Sequence, residues 1–158
     1  MALIIDRKPV TEDRWQWPAQ AQPLPAAGPV VLPLARWLEQ ADALIGRESG
    51  VLVNGDDDLE QILALKERVR LVAIEFPTFA DGRGFSIARL LRRAGFSGEI
   101  RAIGDVTRDR LAFLERCGFN ALQVPDERYR PEILAAFDEI SVRYQGDANQ
   151  PRPAYPQS

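Results

Sequence analysis

The chain has 158 residues, 46% hydrophobic and 27% charged, with a formal net charge of −3, enough to bury about two-thirds of its unfolded surface around one core. The acidic balance speaks against nucleic acid as main partner, because neutralising phosphates takes a net basic face. With no histidine and one cysteine, Cys117, it lacks the usual general base near neutral pH, Ser-His and Cys-His nucleophile schemes, an internal disulfide and the ligands of an iron–sulfur cluster.

No apolar run approaches the roughly 18 residues that a membrane helix needs. The start, Met1-Ala-Leu-Ile-Ile-Asp6, has no basic stretch ahead of a long apolar one. The expected location is the cytoplasm, without membrane contact. Ile4-Ile5 and Val10, separated by Asp6-Arg-Lys-Pro9, predict a small hairpin, docked on the core by Trp15 and Trp17. Prolines 18, 23, 25, 29 and 33 predict an extended connector. A helix follows, with Leu34, Trp37, Leu38, Ala41 and Ile45 at helical spacing.

From Gly50 to about Arg143 a short apolar run, a polar loop and an amphipathic run alternate, which is the rhythm of βαβ units. Strand Val51 to Val53 leads through Asn54-Gly-Asp-Asp-Asp58 to a helix with Leu59, Ile62, Leu63 and Leu65, where Asp58 and Gln61 suit a capping box. Strand Leu71 to Glu75 leads through Phe76-Pro-Thr-Phe-Ala-Asp-Gly-Arg-Gly-Phe-Ser86 to a helix burying Ile87, Ala88, Leu91 and Ala94. Arg89, Arg92 and Arg93 on it read as a solvated face. Strand Glu99 to Ile103 precedes a helix with Leu111, Leu114 and Cys117 inward, the thiol being a core group ahead of the C-capping Gly118. Strand Ala121 to Val124 precedes a helix entered at Pro131 with Ile133, Leu134, Phe137 and Ile140 inward. The tail 145–158 has the composition of disorder, so residues 1–144 form the expected domain. The predicted fold is α/β: four βα units in a parallel sheet, either half-TIM-barrel-like or flavodoxin-like. An uncovered edge or barrel opening would favour a homodimer.

Ligands in such sheets sit beyond the carboxyl ends of the strands, so the βα loops are where chemistry is sought. Two glycines flanking a cation, with a hydroxyl just inside the next helix, suit an oxyanion site. The candidate ligand-binding set is Glu75, Asp81, Gly82, Arg83, Gly84, Ser86 and Asp105. A dinucleotide fingerprint would need a third glycine where Ile87 stands, and a Walker loop would need Gly-Lys-Ser/Thr. A hard-metal alternative uses Glu75, Asp105 and Asp126, each following an apolar strand, for magnesium. Asp58 and Thr107 suit helix N-caps, and Asp105 or Asp126 could equally stabilise a turn.

Asp81-Gly-Arg-Gly-Phe-Ser86 and the Leu-Leu-Arg helix, with Gly95-Phe96, Arg101-Ala-Ile-Gly-Asp-Val106 and Cys117-Gly-Phe119, resemble the bacterial family called domain of unknown function 934, over roughly residues 3 to 140. Members are commonly labelled probable oxidoreductases of sulfite reduction. The resemblance implies a pathway and carries no catalytic residues. Sulfite reduction needs sirohaem, iron–sulfur or flavin chemistry, and with no ligands for a cluster and no cofactor expected, an accessory role is the better expectation: binding sulfite reductase or an oxyanion intermediate. The alternatives are a magnesium-dependent lyase or isomerase and a flavin-binding oxidoreductase.

Overall fold

The sheet is assembled from short runs rich in Val, Ile and Leu, each with one side chain in two turned to the same face. In a computed structural model, describing residues 2–76, 82–104, 106 and 110–124, these runs are β1 (Ala2–Ile5), β2 (Lys8–Val10), β3 (Val30–Pro33), β4 (Ser49–Asn54), β5 (Leu71–Phe76), β6 (Glu99–Gly104) and β7 (Ala121–Val124). The helices are α1 (Leu34–Glu39), α2 (Leu59–Ala64), α3 (Arg83–Arg93) and α4 (Leu111–Cys117), with a 3-10 turn at Ala41–Leu44. All seven strands join one sheet in the order β2-β1-β7-β6-β5-β4-β3. Strands β3 to β7 are parallel, while β1 lies antiparallel to both β7 and β2.

The parallel strands follow one another across the sheet without a reversal. A flavodoxin-like order reverses once and carries helices on both faces; here the one-way order, with crossovers of the usual right hand, puts α1, α2, α3 and α4 on one face. Packing agrees. Val30, Leu32, Val51, Val53, Val72, Ile74, Phe76, Ile100, Ala102, Leu122 and Val124 form one buried cluster with side chains from α1, α2, α3 and α4. The alternate residues face the other way, where Val31, Leu52 and Leu71 pack with Trp15 and Trp17. Among the described residues, the two tryptophans thus cover part of the face opposite α1 to α4.

The hairpin forms where expected. Asp6 and Arg7, at φ 51° and 67°, make the left-handed two-residue turn whose twist suits a hairpin, and Arg7 anchors it with two hydrogen bonds to the Glu115 carboxylate on α4 at 2.8 and 2.6 Å. The proline-rich connector needs correction at its end. Val30-Val31-Leu32-Pro33 is not a linker but an edge strand, paired with β4, and an edge strand tolerates proline because one side of its backbone has no ladder to donate to. The next helix is also shorter than expected: it passes into the 3-10 turn, which changes the angular phase, burying Leu44 and leaving Ile45 71% exposed. The fourth predicted helix, entered at Pro131, and the tail 145–158 lie outside the described residues. Among the described residues no helix is long and apolar enough to cross a membrane.

Candidate functional site

Helix α3 begins earlier than the hydrophobic periodicity indicates. Its N-cap is Gly82, and Arg83, Gly84, Phe85 and Ser86 are already helical; the first helical hydrogen bond runs from the Ser86 amide to the Gly82 carbonyl at 3.4 Å. Residues 83–86 of the stretch read as a glycine loop are therefore the first turn of a helix, while residues 77–81 lie outside the described residues. Its two glycines differ in kind. A Cβ on Gly82 would meet nothing within 4 Å, whereas one on Gly84 would come within 2.7 Å of Phe76 Cζ and 3.1 Å of Ile74 Cγ2. Gly84 is buried and lets α3 lie close against β5. Below it, Phe76 stacks on Phe85 with centroids 4.9 Å apart, and Phe113 meets Phe85 edge-on at 5.0 Å, fixing where the first turn of α3 meets the rim.

Arg83 reaches across to the neighbouring loop. Its Nη1 donates to Asp56 Oδ1 at 2.7 Å, with the two side chains 61% and 80% exposed. The loop of Asp56 is organised by its own side chains: Asn54 Oδ1 accepts from the Asp56 amide, Asp57 Oδ2 from the Asn54 amide, and Asp58 caps α2 by accepting from the Glu60 amide. The capping reading of Asp58 thus holds. Ser86 is exposed on the first turn, and Glu75 is exposed between buried Ile74 and buried Phe76. Because Ile74 and Phe76 belong to the helix-side cluster, strand alternation turns Glu75 to the other face. The structure therefore gathers Gly82, Arg83, Gly84 and Ser86 on one helical turn, joins Asp56 to them, and sets Glu75 on the opposite face of the same rim. Asp81 and Asp105 of the candidate set, with Asp126 and Thr107, lie outside the described residues. Among the described residues no three acidic, histidine or cysteine side chains form a metal-binding group.

Sequence reasoning missed a buried cation on the face opposite α1 to α4. Arg101 in β6 is 0% exposed and engages three side chains. Its Nε donates to Glu99 Oε2 at 2.8 Å; Nη1 donates to Asp13 Oδ2 and Gln123 Oε1, both at 2.8 Å; Nη2 reaches Asp13 Oδ1 at 3.2 Å and Glu99 Oε2 at 2.7 Å. Trp17 lies against the guanidinium at 5.4 Å and donates its Nε1–H to Asp13 Oδ2. Burial alone would raise the Asp13 pKa, but hydrogen bonds from Arg101 and Trp17, the Arg101 charge and the Trp15 amide outweigh it and hold the carboxyl below its ordinary value. One arginine thus binds the N-terminal segment to β6 and β7. The available signal was a charge in the middle of the strand run Ile100-Arg-Ala-Ile103.

Arg92 also departs from expectation. It is not solvated: Nε donates to Gly118 O at 2.9 Å, and Nη1 donates to Phe96 O and Gly98 O at 3.0 and 2.8 Å. These carbonyls lie just past the ends of α3 and α4, where helices leave acceptors unsatisfied. Burial lowers the Arg92 pKa from its ordinary value. Cys117 is buried, as its position before Gly118 suggested, and burial raises its thiol pKa despite the nearby Arg89.

A family model described as "Bacterial protein of unknown function (DUF934)" matches residues 50–155. The chain belongs to that family. The DUF934 match takes in β4 to β7, hence Asn54, Asp56, Glu75 and the whole first turn of α3, while β1, β2 and β3 precede it. No curated protein matches the chain.

Proposed function

We propose that this protein is a cytoplasmic accessory of assimilatory sulfite reduction whose carboxyl-end rim binds a small oxyanion, alone or as presented by sulfite reductase. The observation that carries the oxyanion part is the start of the 11-residue helix α3 at Gly82, with Arg83 on its first turn and Ser86 exposed beside it. Partial positive charge concentrates at such a helix start. Arg83 is held by an exposed ion pair to Asp56, and pairs of that kind contribute only about 0–1 kcal/mol. An incoming oxyanion can therefore compete with Asp56 for the Arg83 guanidinium. The pathway assignment is supported by the family resemblance.

The one-way strand order also supports a finer reading of the architecture, half of a βα barrel with a concave face opposite α1 to α4. The flavin alternative has less support, since flavin phosphates in open sheets favour the strand-order reversal that β3 to β7 lack. The magnesium-dependent lyase or isomerase keeps one supporting observation, Glu75 exposed at the rim, and a calorimetric titration with magnesium decides it.

The central test is a thermal-shift series on the full chain with sulfite, sulfate and phosphate, run beside Arg83→Ala. A ligand stabilises in proportion to the logarithm of its concentration over Kd, so the expected result is a rise in Tm that Arg83→Ala diminishes. Equal shifts in both proteins reject the rim site. Normal growth of a deletion strain on sulfate as sole sulfur source rejects the pathway.

A further inference from the structure

At the opposite end of the sheet, where β4 and β5 begin, a cleft of about 600 Å³ opens among residues that include Trp37, Ile45, Arg47, Glu48, Arg68 and Arg70. Its volume falls in the range of small-molecule sites, about 300–1,000 Å³. Its charges are unevenly committed. Glu48 is already engaged by Arg14 through two hydrogen bonds at 2.8 and 2.9 Å, which hold its carboxyl below the ordinary value. Glu67 is 86% exposed and sits 3.6 Å from Lys66. The arginines are differently placed. Arg68 Cζ lies over the buried Trp37 ring, 4.9 Å from its centroid, a cation–π contact that leaves N–H donors of the guanidinium for other acceptors.

Among the described residues, the Arg68 and Arg70 side chains make no direct hydrogen bond or ion pair, although the Arg70 charge also helps to lower the Glu48 carboxyl. Arg47 Nε donates to Gly28 O at 2.7 Å, but its Nη2 is buried with no acceptor among the described residues. A cationic cleft in a chain of net charge −3 is not what general surface composition supplies.

We propose that this cleft is a second binding site, for a small organic anion whose carboxylate or phosphate oxygens accept from Arg68 and Arg70, with Arg47 lining the same cleft. Planar guanidinium groups suit bidentate acceptors of this kind. Ile45, 71% exposed at the cleft, gives the ligand's carbon skeleton an apolar contact. The site lies at the amino ends of the strands, at the opposite end from the first turn of α3, and does not depend on the rim reading.

The test is titration of the isotope-labelled full chain with citrate and, separately, pyrophosphate, followed by amide NMR. Arg68→Gln and Arg83→Gln are compared with the parent, and Arg70→Gln serves as a second cleft variant should Arg68→Gln unfold. The expected result is saturable shifts at Arg47, Arg68 and Arg70, weakened roughly tenfold by a cleft variant, about the loss of one charge-assisted hydrogen bond, and unaltered by Arg83→Gln. Citrate acting alone identifies a carboxylate site and pyrophosphate alone a phosphate site. Shifts confined to residues 82–86 at the first turn of α3 and abolished by Arg83→Gln, or no saturable shift at the cleft with either anion, overturn it.

Discussion

Gly82 and Gly84 are two residues apart and answer to different constraints. Gly82 has an ordinary right-handed φ of −73° and open space around it, so Gly82→Ala should be neutral or stabilising by about 0.4–1 kcal/mol through the unfolded chain. Gly84→Ala gains helix propensity of about 1 kcal/mol but drives a methyl into the Phe76 ring, itself 1% exposed and stacked on Phe85. Overpacking costs about 1–3 kcal/mol and should win; urea unfolding of both variants checks the contrast. The glycine pair was visible in the sequence as a site. The role of Gly84 was not, because it depends on where a ring from another element lies. The same holds for Arg101, whose five donors are matched by residues from β6, β7 and the segment before Trp15. Arg101→Met leaves the Asp13 and Glu99 carboxylates partly buried without their cation and should cost about 3–5 kcal/mol in urea unfolding. Asp13 has a folded pKa below its unfolded value, so its contribution is present above the unfolded pKa and is lost as pH falls through the folded one. Asp13→Asn should therefore lose stability near neutrality, with the gap to the parent closing in acid; a constant gap from neutrality into strong acid would refute the linkage.

Regular elements were legible where period and length agreed, as in β7, found at Ala121–Val124, and the inward Leu111, Leu114 and Cys117 of α4. Legibility failed where a local signal pointed away from the tertiary outcome. Prolines at 29 and 33 disguised β3, because the sequence does not reveal which strand will sit at an edge. Arg92 resembled surface charge, since the carbonyls it serves lie past the ends of two helices. Removing those hydrogen bonds with Arg92→Met should loosen both helix ends, cost about 1.5–3 kcal/mol, and speed amide exchange at Phe96 to Gly98 and Gly118 more than in β5. Cys117 faces the core between those helices, so its thiol should react with a disulfide reagent only at the rate of opening. Prompt labelling of the native protein would contradict its burial.

At the scale of the molecule, the N-terminal strands close the sheet on both sides. β3 covers the edge of β4, and β1 covers the edge of β7. The new outer edges are poor templates for pairing, one carrying Lys8 and Pro9 and the other Pro33, which is how natural sheets discourage edge-to-edge association. The family match begins at Gly50, inside β4, so that boundary does not coincide with a closed sheet. A fragment beginning at Gly50 would uncover β4 and β7 together and should self-associate, measured by size-exclusion chromatography beside the full chain; a monodisperse, folded fragment would show the N-terminal strands to be dispensable. The pairing of β1 with β7 also has a consequence in time. The ribosome makes Leu3-Ile4-Ile5 more than a hundred residues before their partners Ala121 to Gln123. At ~5–20 residues per second, this apolar strand waits on the order of ten seconds for β7, so a strand made well before β7 completes its pairing only once β7 has been made.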